Sequence, residues 1–519
     1  PRISPCRPSA LGGLLALIAG LAPAPVRAAP EYLRLSYTGD TTTTMTVSWN
    51  TIVETTSEVQ YGTQPGVYTG TAVGTSLLAS GPLAWIHEAT LTDLQPETRY
   101  YYLAGSDTDG WSAEASFVTG LPQHEECGAF SFLMFGDNRP DATLGGGENW
   151  PQILDQAASH QAAFLLNGGD LVVDGDQLDE WVDFLGRTEA AASRTPFMPC
   201  LGNHDNGPGE GDSANYNQIF ALPRSGGTWG SGTEDYYYFT YGNAIFVALS
   251  TETFSGGDPA FQNQANWLDE VLTANPRKWK FVMYHKPSYT HEALFSISHA
   301  PNENGQNAAL IPVIDAHHVD VVFTSHNHWY ERFHPSGCAT QGDPGSDTAC
   351  SVGEDQFAAG TVFYVTGGAG AFTIPGMLCG SETGRAHCSG DHHYILVEVE
   401  DHVATLQTWA AFPQTNEVID SIVITKETSA CAGPDAGVPD AGVPDAGASA
   451  DGGPSPDAGS RPDAGTAPDS APAVDAAVDP GAPGSGCSCR AAGPDPGAIP
   501  VLPLIMALSL LVLVRRRRH

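Results

Sequence analysis

The sequence predicts a β-sandwich followed by an α/β domain, with a disordered linker and an apolar C-terminal helix behind them. Three observations carry this. Residues 30–120 alternate apolar and polar positions between recurring turn residues, without helical periodicity. From Cys127 onward, apolar runs alternate with amphipathic segments. Residues 432–486 are almost entirely Pro, Asp, Gly, Ala and Ser, which cannot bury a core. At 519 residues the chain is long enough for two or three domains.

The N-terminus has the form of an export signal, residues 1–28. Arg2 and Arg7 precede the apolar run Leu11 to Leu21, and Val26-Arg27-Ala28 supplies a small-residue cleavage pattern. Cysteine usage agrees with export. Cys338 and Cys350 bracket one loop, Cys379 and Cys388 bracket another, and each pair is expected to form a local disulfide. Cys127, Cys200 and Cys431 have no assigned partners.

In the sandwich, residues 30–120, Met45-Thr46-Val47-Ser48-Trp49 and Ser57-Glu58-Val59-Gln60-Tyr61 read as strands. The stretch Leu91 to Tyr102 resembles the corner before a late strand of fibronectin type III domains, where a Tyr hydroxyl bonds back to the backbone. Nothing in this segment suggests catalysis.

In the α/β domain, residues 127–426, the strand candidates are 129–135, 162–167, 196–201, 280–284, 319–324 and 361–366. Helix candidates are 150–161, 177–192, 261–275 and 306–317, with Asp176 as a cap for the second. Tyr236 to Asn243, followed by an apolar run, reads as a hairpin turning at Gly242-Asn243.

The chain ends in Cys487-Ser488-Cys489, an apolar stretch from Ala498 to Val514, and Arg515 to Arg518. The apolar stretch is about the shortest that spans a bilayer, with the Arg cluster staying cytoplasmic. Residues 487–519 resemble the sorting tails of myxobacterial surface proteins, which implies processing near Cys487 by a C-terminal processing enzyme. Cell-surface display or secretion is then the expected location.

Acidic residues outnumber basic ones 59 to 22, for a formal net charge of -37. Such a chain repels nucleic acid and anionic membranes, so no nucleic-acid partner is expected and membrane contact falls to the C-terminal segment alone. An anionic substrate needs a local positive centre.

The chemistry lies in what ends each apolar run. Run 129–135 ends in Gly136-Asp137, and 162–167 in Gly168-Gly169-Asp170. Run 196–201 ends in Gly202-Asn203-His204-Asp205, 280–284 in His285, and 319–324 in Ser325-His326-Asn327-His328. Open α/β sheets bind ligands beyond the carboxyl ends of their strands. Each piece alone is commonly a turn or a solvated His, but together they deliver carboxylates, an amide and imidazoles to one rim. That donor mixture suits Fe, Mn or Zn.

These motifs, in this order, resemble those of the calcineurin-like metallophosphoesterases. His328-Trp329-Tyr330-Glu331-Arg332 and the preceding sandwich point to the purple acid phosphatases among them. The resemblance implies a four-layer α/β/β/α sandwich holding two metal ions. Asp170 would bridge them, Asn203, His285 and His326 would complete the second, and Asp137 and His328 would hold the first. A metal-activated hydroxide would attack a small-molecule phosphomonoester, and His204 would contact the phosphate and assist the leaving group. Asp205 and Arg139, on the same rim, are read from their own positions as further catalytic candidates. His291 and His299 fall in the family's substrate loop. A phosphodiesterase or nucleotide hydrolase on the same site is the near alternative, and a non-catalytic display module with a decayed site the distant one.

Two positions depart from the family pattern. The Tyr expected three residues after the bridging Asp is Val173, so tyrosinate-to-iron colour is expected to be absent. The His that calcineurin-type enzymes place two residues after the first Asp is Arg139. Arg139 can grip a phosphate with two prongs or pair with Asp141, Asp174 or Asp176.

Overall fold

The computed structural model describes residues 29–79, 81–108, 110–140, 149–252, 259–291, 298–336, 359–379 and 384–427. The signal segment, Asp141, the Cys338–Cys350 pair, Cys431, the linker and the tail with Cys487 lie outside the described residues. Among the described residues, no helix is long and apolar enough to cross a membrane.

The N-terminal segment forms two sheets. One runs Glu31–Ser36, Met45–Thr51, Trp85–Leu91, Thr75–Leu78. The other runs Gly70–Val73, Glu58–Gly62, Arg99–Ser106, Gly110–Trp111, with Ala115–Val118 beside Arg99–Ser106. Alternate apolar positions such as Val47, Trp49, Val59 and Tyr102 are fully buried in one core. In the stretch read as a corner, the Gln95 N–H donates to the Tyr100 hydroxyl at 2.9 Å.

This sandwich shares its core with the α/β domain. The ring of Tyr37 lies among Phe164, Phe239 and Tyr241. The Tyr102 hydroxyl donates to the Ser193 carbonyl at 2.8 Å, and Arg34, 5% exposed, donates to the Ile219 carbonyl at 2.9 Å. The two segments are joined by packing, since buried aromatics of one are walls for the other.

The α/β domain is a pair of stacked sheets. The first has the order Phe197–Pro199, Phe164–Asn167, Ala129–Phe135, His393–Glu400, Val403–Ala410, Glu417–Thr425. The second runs Tyr237–Tyr241, Ala244–Ala248, Trp279–Met283, Val321–Thr324, Val362–Thr366, Tyr330–Phe333, Arg385–Ser389. Period-two alternation decides which way each side chain faces. Phe132 turns inward to meet Phe246 at 5.0 Å and Phe281 at 5.1 Å across the two sheets. Its neighbour Phe135 turns outward onto Trp150 of the helix Trp150–Ala157. In the second sheet, Ile245, Val247, Val282 and Val322 pack against the helices Pro259–Ala274 and Asn307–Ala316. Helices therefore cover both outer faces, giving the expected four layers.

The hairpin turns at Gly242 as read, with Tyr237–Tyr241 antiparallel to Ala244–Ala248. One local expectation is corrected. Asp176 does not cap the helix Leu178–Ala192, whose N-cap residue Gln177 makes no side-chain cap. The Glu180 carboxylate instead ties down the loop before the helix, accepting the N–H groups of Val173 and Asp174 at 2.7 and 2.9 Å. An acid in the first turn can reach back to the loop and also complements the helix dipole.

Candidate functional site

Parallel register aligns the strand ends. Phe135 pairs with Asn167 and Asn167 with Pro199 in the first sheet. Met283 pairs with Phe323 and Thr324 with Val365 in the second. The loops after these strands accordingly open at one rim, and all six expected metal-ligand residues meet there. The sheets approach closely at this end: a Cβ on Gly168 would run into the Ser325 side chain of the other sheet.

Three of the six residues have left-handed backbone: Asp137 at φ +55°, Asp170 at +57° and His326 at +70°. Non-glycine residues adopt this conformation at a cost, and such strain clusters at functional sites. Here it turns the chain sharply at the strand end, so that a side chain points back across the rim.

His285 stands at the centre. Its Nδ1 lies 2.8 Å from the Gly168 carbonyl oxygen, so that nitrogen carries a hydrogen and donates. Its Nε2 faces Asn203 Oδ1 at 3.0 Å, His326 Nδ1 at 3.1 Å and Asp170 Oδ1 at 3.2 Å. His326 Nε2 lies 3.2 Å from the Glu303 carboxylate, which only accepts, so the hydrogen is on Nε2 and Nδ1 offers its lone pair. Four electron-pair donors thus crowd together, and their centre requires a positive charge, either a proton or a metal ion.

The electrostatics express the same demand. Burial works against charging His285, but the Asp170 carboxylate outweighs it and lifts the pKa to about 10. Burial alone would raise Asp170, yet His285, His204 and Arg139 hold it well below the ordinary carboxylate range. Burial lowers His326 to about 4, leaving its ring neutral and available as a ligand.

A second group consists of Asp137, Asp170 and His328, whose donor atoms lie within 4.8 Å of one another, as do those of Asp170, His285 and His326. Asp137 is fully buried. Its Oδ2 accepts the His326 N–H at 2.8 Å, while Oδ1 has no hydrogen-bond partner and lies 3.4 Å from His328 Nε2. An orphaned carboxylate oxygen in the interior is what a cation satisfies, so the residues present fit metal ions. A third group of His299, Glu303 and His326 adjoins the first.

His204 sits on the rim with 31% of its side chain exposed. Its Nδ1 donates to the Val173 carbonyl oxygen at 2.5 Å, which leaves Nε2 toward Asp170 Oδ2 at 3.9 Å. Val173 thus contributes its carbonyl where a Tyr side chain was expected. Of the two loop histidines, His299 lies over His326, ring centres 3.7 Å apart. His291 stacks on Trp329 instead, and its N–H donates to the Glu331 carboxylate.

Asp205 is corrected from a catalytic to a positioning residue. It is 0% exposed. Its Oδ1 accepts the N–H groups of Leu171 and Val172 at 2.7 and 3.2 Å, and its Oδ2 those of Asp170 and Gly202 at 2.8 and 2.9 Å. Burial and the Asp170 carboxylate push its pKa up to about 7, and the N–H groups of Gly202 and Leu171 pull it back. The carboxylate ties two metal-ligand loops together. Asp205→Ala leaves four buried N–H groups without this acceptor, at about 1–3 kcal/mol for each one left unsatisfied. We expect a loss of at least about 3 kcal/mol in denaturant unfolding, and an unchanged midpoint would refute the assignment.

The Gly202 carbon completes this junction. A methyl group there would run into the backbone nitrogen and Oδ1 of Asp170. Gly202→Ala is expected to lower metal affinity and turnover by about 10–100-fold, the scale for disturbing a ligand's support. Retention of full metal content by mass spectrometry would contradict this.

Several supports escaped the sequence reading. Glu303, which orients His326, lies in a loop without a motif. The carbonyls of Gly168, Val173 and Phe372 fix the tautomers of His285, His204 and His328, and a carbonyl has no sequence signature. Arg139 was read as a phosphate grip or as a partner of Asp141, Asp174 or Asp176, of which Asp141 lies outside the described residues. The structure pairs it with Asp170, Nε to Oδ2 at 3.5 Å. The disulfide Cys379–Cys388 is present as expected, Cys127 is also disulfide-bonded, and Cys200 is a buried free thiol.

Comparison with known proteins agrees with this geometry. Residues 30–119 match the N-terminal domain of purple acid phosphatases, and residues 130–330 match the calcineurin-like phosphoesterase family. Acid phosphatase type 7 of Homo sapiens is 31% identical over 332 residues, covering 59% of this chain and 72% of the relative. The Mus musculus protein of that name is 30% identical, covering 59% and 71%. The solved purple acid phosphatase from yellow lupin seeds shares the fold, with a TM-score of 0.63 at 18% identity over 77% of this chain and 74% of that one. The family works with a dinuclear metal centre, for which this chain has candidate ligand groups. Fold, rim and relatives together place the chain among the calcineurin-like phosphoesterases, hydrolases of phosphate esters, with a purple acid phosphatase N-terminal domain in front.

Proposed function

We propose that this chain is an exported, surface-anchored phosphomonoesterase. The observation that carries the site assignment is the convergence of Asp170, Asn203, His285 and His326 lone pairs on one point, with Asp137 Oδ1 orphaned beside it. Asn203, His285 and His326 would hold one ion, Asp137 and His328 the other, and Asp170 both. Ions bound there would supply the positive charge that acidifies water and offsets phosphoryl charge.

The chain's own residues do the rest. His204, its Nδ1 held by the Val173 carbonyl, presents Nε2 at the rim to protonate the departing ester oxygen. The Asp170 and Asp137 carboxylates, buried and oriented by backbone N–H donors, keep their geometry through the reaction. His299, over His326 at the rim, borders the ester group. With Val173 in place of a Tyr, iron-loaded protein should lack a tyrosinate charge-transfer band.

The preference for monoesters is supported by the acid phosphatases among the relatives, and is an argument by analogy. Export is supported by the pattern of residues 1–28 and by the disulfide chemistry. Anchoring is supported by the apolar stretch 498–514 and the Arg cluster behind it. The test is turnover of aryl phosphate monoesters and diesters by the full chain loaded with Mn, Fe or Zn. Faster monoester cleavage is expected; faster diester cleavage would move the assignment, and no cleavage of either by metal-loaded protein would overturn it.

A further inference from the structure

Arg139 stands inside the group of Asp137, Asp170 and His328. Its Nε is 3.5 Å from Asp170 Oδ2 and its Nη2 is 3.4 Å from His328 Nε2. His328 Nδ1 donates to the Phe372 carbonyl at 2.8 Å, so Nε2 turns its lone pair toward the guanidinium. The backbone anchors the arginine there as well, its N–H donating to the Asp170 carbonyl at 3.1 Å. The side chain is only 12% exposed. A guanidinium cannot lose its charge in a protein, so this positive centre is permanent.

The guanidinium does not use up the donors around it. Asp137 Oδ1 is buried without a hydrogen-bond partner, 3.4 Å from the same His328 nitrogen. Two of the three ligands of the first position therefore face a fixed cation, while the third still lacks one. The other position is different: the groups that meet at His285 Nε2 are the Asn203 amide, the His326 imidazole and the shared Asp170, with no guanidinium among these contacts.

We propose that Arg139 is an intramolecular cation that competes with a metal ion for the position formed by Asp137, Asp170 and His328. The two ions then bind in sequence, the one at Asn203, His285 and His326 first. The second enters only by displacing the guanidinium from Asp170 and His328, which makes this site far weaker. At limiting metal the centre holds one ion with Arg139 beside it. This inference rests on the metal-dependent hydrolase reading above.

The experiment titrates chelator-treated full chain with Mn(II), reading free ion by electron paramagnetic resonance and bound ion by mass spectrometry. One ion per chain is expected to bind tightly and a second at least about tenfold more weakly, the scale of one charge-assisted hydrogen bond. The spin-coupled signal of paired Mn(II) should appear only in excess metal. Arg139→His should tighten the second site by about tenfold or more, and Arg139→Ala should tighten it less, since it removes the cation without adding a ligand. Two sites of equal affinity in the natural protein would overturn the proposal without any variant. So would an unchanged second site in both variants. Failure of the protein to bind any Mn(II), Fe or Zn would overturn the hydrolase reading itself, a distinct result from two equal sites.

Discussion

Asp170→Asn is expected to remove metal retention and turnover together, with kcat/KM falling by about a thousandfold or more. Asp170 is 1% exposed and belongs to both ligand groups. Its Oδ1 faces His285 and accepts the His204 N–H at 3.0 Å, and its Oδ2 faces Arg139. Asparagine keeps the shape but removes the charge, and it replaces one acceptor by a donor. Removing one partner of a buried charge pair costs about 3–5 kcal/mol, which at about 1.4 kcal/mol per decade spans two to four orders of magnitude. The measurement is bound metal by mass spectrometry with kcat/KM on an aryl phosphate, and circular dichroism to establish folding. A folded variant with full metal and more than a tenth of the activity would refute the central role of Asp170.

His204→Ala is expected to lower turnover by about 10²–10⁴-fold, the range for a positioned general acid, while leaving metal content intact. His204 makes no contact that places it among the metal ligands. Its ring is held by the Val173 carbonyl and its Nε2 stays 3.9 Å from Asp170. If it protonates the leaving oxygen, the loss must depend on the ester. Alkyl phosphates, whose leaving oxygen is strongly basic, should lose the most, and activated aryl phosphates with acidic phenols the least. Equal losses for both classes would mean that His204 only binds phosphate, and loss of metal would mean that it supports the ligands.

The fold was largely legible, since its signals are local. Phe132 and Phe135 report two faces of one strand through simple alternation, and Tyr237–Tyr241 with Ala244–Ala248 announces a hairpin through Gly242-Asn243. Cap chemistry was less legible. Asp176 and Glu180 are both acids near a helix start, and only the path of the loop before it decides which one reaches back.

Within the site, the legible residues are those at strand ends. Asp137, Asp170, Asn203, His285, His326 and His328 follow apolar runs directly, so parallel register alone carries them to one rim. Asp205 belongs to the same Gly-Asn-His-Asp motif as His204 and looked equivalent to it. A strand end specifies where a residue sits, while burial specifies what it does, and burial of Asp205 beneath four N–H donors made it structural.

The amino-acid order alone established the identity of the donors, the layers that carry them and the rim at which they meet, because strand periodicity and strand ends are properties of contiguous residues. Only the folded chain decided the tautomers of His204, His285 and His328, the partner of Arg139 and the orphaned oxygen of Asp137. Those depend on contacts between residues as far apart as 139 and 328, made by carbonyls and charges that carry no pattern along the chain.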